Sequence, residues 1–151
     1  MADRHVALIR GINVGRAKRV AMADLRALVL SLGYTDVRTV LNSGNVVFTG
    51  PRASPGTAAA TDNPLLGVAD NPSRLLVAVL ANPADRSRLK QLVQQDWAPD
   101  ALAIGARVAY LWCPEGVLAS RLWKAVGRVL GDAVTTRNWA TVTRLHALTR
   151  A

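Results

Sequence analysis

The hydrophobic pattern divides the chain into two runs of regular elements with an irregular stretch between them. Val6-Ala-Leu-Ile9, bounded by His5 and Arg10, predicts a strand over residues 5–10. Met22, Leu25, Leu28, Val29 and Leu32 recur at helical spacing and form one apolar stripe, which predicts a helix over 22–32 closed by Gly33. Residues 37–42 and 46–48 read as two strands, with Ser43-Gly44-Asn45 as their hairpin connection. From 50 to 73 periodicity stops at Pro51, Pro55, Pro64 and Pro72 and at Gly50, Gly56 and Gly67. So long a structureless loop is unusual inside a compact domain, so it is either a linker or the scar of a missing segment.

The second half restarts with the continuous apolar strand Leu75–Leu80. A helix follows over 84–95, with Leu89, Leu92 and Val93 on its inner side. Residues 101–104 and 107–112 form a hairpin around Gly105-Ala106, with Val108, Tyr110 and Trp112 on one face and Ala109 and Leu111 on the other. Ser120 caps a helix over 120–130 that buries Leu122, Val126, Val129 and Leu130. An extended piece, 134–137, leads to a last helix capped by Asn138 and burying Val142, Leu145 and Leu148. Each half thus opens β-α-β-β, the start of a ferredoxin-like unit, and the class is α+β. The expected division is an incomplete ferredoxin-like subdomain at 1–50, a Pro/Gly-rich connector at 51–73, and a subdomain at 74–151 built as β-α-β-β-α plus a C-terminal helix.

With 151 residues, 50% of them hydrophobic, the chain suits one compact domain or two small ones sharing a core. No apolar stretch approaches the ~20 residues that span a bilayer, and the N-terminus lacks a signal-peptide pattern, so no membrane partner is expected. Cys113 is the single cysteine, which excludes an internal disulfide and suits a cytoplasmic setting. The net charge of +9 and pI of about 11.2 invite a nucleic-acid or anionic-ligand reading. The charge is dispersed, however, and lysine occurs only at Lys18, Lys90 and Lys124. A basic surface written by a GC-rich genome therefore stands beside a functional one.

Three motifs are candidates for a site. Gly11-Ile-Asn-Val-Gly15 follows the first strand and is flanked by Arg10, Arg16, Lys18 and Arg19. No Gly-Lys-Ser/Thr follows, so it is not a Walker A loop, and it is not a dinucleotide fingerprint either, because Asn13 occupies the place of the middle glycine. It is either an anion-binding loop or a tight bend in which Asn13 bonds nearby backbone. Ser43-Gly44-Asn45 is either part of the same site or a plain hairpin. Thr135-Thr-Arg-Asn-Trp139 places Arg137 and Asn138 at a helix N-terminus, which favours an anion or simply a helix cap. Catalytic groups are sparse: His5 and His146 have no acidic neighbours in sequence, Cys113 reads as a buried structural thiol, and no metal-ligand spacing occurs. The four tryptophans read as core and interface rather than as base-stacking platforms.

Leu8-Ile-Arg-Gly-Ile-Asn-Val-Gly15, Met22-Ala-Asp-Leu-Arg-Ala-Leu28, Asn42-Ser-Gly-Asn-Val-Val-Phe48 and Thr135-Thr-Arg-Asn-Trp-Ala-Thr-Val-Thr-Arg-Leu145 together resemble bacterial domain-of-unknown-function family 1697. The resemblance implies two small α+β subdomains, the first ferredoxin-like. It brings no activity and no cofactor. The chain resembles an internally shortened member, because residues 50–73 stand where the family continues with a helix, a strand and another helix.

The expected function is binding of a small anionic ligand, a nucleotide or phosphorylated metabolite, by an uncharacterised cytoplasmic bacterial protein. Arg10, Gly11, Asn13, Gly15, Arg16, Lys18, Ser43, Gly44, Asn45, Arg137 and Asn138 would line the site; no metal or cofactor is implied. The alternatives are a nucleic-acid-binding module and a non-catalytic assembly protein. The incomplete first half favours a homodimer, against a monomer in which Leu65, Leu66 and Val68 fold back to fill the gap.

Overall fold

The computed structural model describes residues 2–16, 18–51 and 63–150. Two compact units make up the chain: residues 1–55 with 144–151, and residues 56–143. The C-terminal eight residues thus cluster with the first unit, whereas the sequence pattern groups them with the second half. Their role is visible in the first unit's core.

In the first unit, β1 (Ala2–Leu8), α1 (Met22–Ser31), β2 (Thr35–Val40) and β3 (Asn45–Pro51) form a three-stranded sheet of order β1-β3-β2. Both pairings are antiparallel, with Leu8 and Val40 each opposite Asn45. On one face Val6, Leu8, Val40 and Val47 meet Leu145 and Leu148 from the last helix, α4 (Trp139–Arg150). On the other, the Phe48 ring lies 4.7 Å from Tyr34 and 5.5 Å from His5. Strand β1 begins three residues before the predicted strand and ends two residues before it does. Arg4 anchors that end: its Nη1 donates to Leu148 O at 2.6 Å and its Nη2 meets Asp36 at 3.0 Å.

Helix α1 starts where predicted and ends one residue earlier, but its stripe is not buried. Only Leu25 is buried, while Leu28, Leu30 and Leu32 are 56%, 50% and 65% exposed. Among the described residues the sheet pairs β1 only with β3, so no strand lies on the outer side of β1.

The second unit contains β4 (Leu75–Leu80), α2 (Lys90–Val93), β5 (Ala101–Ile104), β6 (Val108–Trp112), α3 (Arg121–Leu130), β7 (Val134–Asn138) and the start of α4. Its antiparallel sheet has the order β5-β6-β4-β7. The alternation predicted for β6 is observed. Ala109 and Leu111 join Leu76, Ala78 and Leu80 under Leu89, Leu92, Leu122 and Val126. Val108 and Tyr110 face the other way with Val77, against Leu65, Trp139 and Val142. Ser120 Oγ accepts from Trp123 N–H at 2.9 Å, the predicted cap.

Three expectations are corrected in this unit. The helix over 84–95 is mostly a 3-10 segment, Pro83–Leu89, that passes into the four-residue α2, and Val93 is exposed rather than inward. Asn82 sets the tighter winding: its side chain accepts from Ala84 N–H and its carbonyl from Asp85 N–H. The extended piece before the last helix is a full strand, β7, paired with β4 along its length, so this unit is β-α-β-β-α-β before its last helix. Leu65 packs into this unit's own core, and Leu66 and Val68 are exposed, so these side chains do not fill a gap in the first unit. The remainder of the proposed plug and of the connector, residues 52–62, lies outside the described residues.

Candidate functional site

The end of β1 and the β2–β3 hairpin converge at one end of the first sheet. Ile9 N–H donates to Gly44 O at 2.7 Å, which continues the β1–β3 ladder into the loops. The first loop then turns through three residues with positive φ: Gly11 at 74°, Asn13 at 55° and Gly15 at 54°. It returns as Asn13 N–H donates to Lys18 O at 2.9 Å. Added side chains at Gly11 and Gly15 would meet nothing within 4 Å, so glycine serves their backbone conformation rather than close packing.

Asn13 is the clamp of this end. Its Nδ2 donates to Val20 O and to Asn42 O, both at 2.7 Å, and its Oδ1 accepts from Val20 N–H at 2.8 Å. One amide therefore closes the first loop and fastens it to the hairpin. Asn tolerates the left-handed conformation found there better than most residues. Gly44 provides the close approach: a Cβ would lie 2.7 Å from Ile9 Cβ and 2.9 Å from Ile9 O. The hairpin turn spans 41–44, starting two residues and ending one residue earlier than predicted, and Asn45 is the first residue of β3. Asn45 is fully buried, with its Nδ2 donating to Val40 O at 2.9 Å and Ser43 Oγ at 3.0 Å, so it shapes the turn from within.

Arg10, Arg16, Lys18 and Arg19 are all exposed. Arg19 Nη2 leans back to Gly15 O at 3.5 Å. Residues 9–20 and 41–45 contain no carboxylate. Helix α1 begins just beyond, with Ala21 at its N-cap position and no side-chain cap. The structure thus brings Arg10, Gly11, Asn13, Gly15, Arg16 and Lys18 into one cluster with Ser43, Gly44 and Asn45.

Arg137 and Asn138 belong to the second unit. Arg137 lies opposite Val77 on β7 and donates through Nη1 to Thr136 O at 2.9 Å; its partial burial lowers its pKa. Asn138 Oδ1 accepts from Thr141 N–H at 2.9 Å, the helix cap that the sequence suggested. Cys113 is fully buried, and burial, with Asp100 adding to it, raises its pKa against an opposing hydrogen bond from Ser120. A shallow depression of about 400 Å³, lined by Ala2, Gly33, Thr35, Thr49, Gly50 and Pro51, lies at the other end of the first sheet. It carries no charged side chain. Among the described residues no three His, Cys, Asp or Glu side chains group as metal ligands, and no helix is long and apolar enough to cross a membrane.

What the sequence did not reveal is the reach of Asn13 to Asn42 and the exposure of Leu41 at the hairpin. Leu41 has φ 58° and is 56% exposed. The Asn-Ser-Gly after it signalled a turn, but not that the leucine would enter it.

Known proteins place the chain as follows. The fold is similar to that of the conserved bacterial protein SP0830 from Streptococcus pneumoniae, with a TM-score of 0.79 at 19% identity over 99% of each chain. That likeness speaks for the fold alone. No curated protein matches the sequence. Residues 2–61, the segment with β1, the glycine loop, α1 and the hairpin, match the family model described as "Protein of unknown function (DUF1697)". The similarity to that family is thus shown for the N-terminal segment, residues 2–61.

Proposed function

We propose that the protein binds a small anionic ligand, a nucleotide or a phosphorylated metabolite, at the loop cluster of the first unit. The observation that carries this reading is the Asn13 clamp, which fastens together two loops that carry four exposed cations and whose own residues, 9–20 and 41–45, include no carboxylate. Arg10, Arg16 and Lys18 supply charge-assisted bonds, and the glycine turns bring backbone N–H groups near the ligand. Asn13, Ser43, Gly44 and Asn45 hold the geometry. The same reading places the protein in the cytoplasm. It takes the first unit as an incomplete ferredoxin-like fold and the second as a complete one, supported by their strand orders.

A thermal-shift screen with nucleotides, phosphosugars and short oligonucleotides tests the reading. A true ligand at a hundred times its Kd stabilises the fold by about 2.7 kcal/mol. The Arg16→Ala/Lys18→Ala double variant should lose that stabilisation while melting normally without ligand. A response to oligonucleotides alone, falling steeply with salt, favours the nucleic-acid alternative. The exposed Leu28, Leu30 and Leu32 support a second reading, self-assembly through α1.

A further inference from the structure

Resting on the loop cluster as an anion site, we propose that the anions it meets are lipid headgroups, and that residues 10–16, 18–19 and 41–44 dock the protein on an anionic membrane surface. Val14 and Leu41 are 62% and 56% exposed. They sit on loops that are tied together: the side-chain amide of Asn13, the residue before Val14, donates to the backbone carbonyl of Asn42, the residue after Leu41. Leu41 is held at φ 58°, a conformation that bulky residues rarely adopt, so the turn keeps a large apolar side chain in water at a strained position. Arg10, Arg16, Lys18 and Arg19 stand on the same two-loop end, and the first carboxylate after them along the chain is Asp24, in the first turn of α1.

Aliphatic tips flanked by cations suit the boundary between headgroups and acyl chains, where the tips enter and the cations meet phosphate. A soluble phosphate gives no reason for the aliphatic tips. Single-stranded nucleic acid would meet the same charge but stacks its bases on aromatic rings, and residues 9–20 and 41–45 contain none. In this unit His5 and Tyr34 pack on Phe48 instead. That no helix spans a bilayer has no bearing on surface docking.

Co-sedimentation of the full chain with vesicles at low salt tests the proposal. Binding is expected to mixed phosphatidylglycerol–phosphatidylcholine vesicles and not to phosphatidylcholine alone. Each of Arg16→Ala and Lys18→Ala should weaken it about fivefold. Leu41→Gly is the sharpest variant: glycine adopts the same φ without strain, so the fold keeps its melting temperature while binding falls. The proposal is overturned by no binding to the anionic vesicles, by binding indifferent to Leu41→Gly, or by preference for a single-stranded oligonucleotide. Thermal shifts with glycerol phosphate and nucleotides separate the two claims. If these soluble anions stabilise the protein and vesicles do not bind, the membrane proposal falls and the anion site stands; if neither acts, both fall.

Discussion

At Asn13 the side-chain amide uses both of its protons and one lone pair inside the protein, on Val20 and Asn42. Replacing it by Asp keeps the acceptor for Val20 N–H and loses both donors, leaving two carbonyls without them. Asn13→Asp should therefore destabilise the first unit by about 1–3 kcal/mol, read by thermal melting, and broaden the amide resonances of residues 41–44. Unchanged stability would show that the two loops do not depend on this clamp. Cys113 gives a second prediction at this scale. Burial raises its pKa in the fold, so the folded thiol stays protonated where the unfolded one ionises. Its stabilising contribution is complete below about pH 8.5, the unfolded value, and is lost as pH rises toward the folded value. Denaturant titrations should show stability declining above that pH, and Cys113→Ala should flatten the decline. A decline of the same slope in the variant would assign it to other groups.

Among the elements, those with both an apolar core pattern and a stop signal were legible in the sequence. Strand β4 has the predicted bounds because Leu75–Leu80 is uniformly apolar and buried nearly throughout. Helix α3 follows its cap, since Ser120 both accepts from Trp123 N–H and donates to Asp100 Oδ2 at 2.6 Å. Ser120→Ala should cost about 1–2 kcal/mol, measured by urea denaturation; a cost near zero would mean that packing alone fixes the start of α3. Elements whose partners lie far along the chain were less legible. Strand β7 reads as polar because Thr135, Thr136, Arg137 and Asn138 lie on a sheet edge, where the β4 ladder rather than an apolar run defines the strand. The 3-10 segment shares helical spacing at Leu89 and Leu92, and only local bonds at Asn82 and Ser87 separate it from a longer α-helix. In the candidate site, the glycine turns were legible from composition. The Asn13–Asn42 bond was not, because the two residues are 29 positions apart.

For the whole molecule, the two units differ in how their apolar residues are covered. The second buries its core on both faces of a four-stranded sheet. Among the described residues the first has three strands and leaves Leu28 and Leu30 of α1, and Leu32 that follows it, largely in water. Exposed leucines grouped on one helix usually meet a partner, and a symmetric dimer is the simplest closed assembly. Sedimentation at micromolar concentration should show a dimer that Leu28→Ser/Leu32→Ser converts to monomer; a 16.1 kDa species for the unmodified chain would reject self-assembly.

The central claim is that the clamped loops of the first unit form the anion site, and a titration of ¹⁵N-labelled protein with the strongest anionic hit tests it most directly. The account predicts that the largest amide shifts fall on Gly11–Gly15, Lys18–Val20 and Leu41–Gly44, and that they vanish in Arg16→Ala/Lys18→Ala. Shifts confined to the opposite end of the sheet, around Gly33, Thr35 and Gly50, would contradict it.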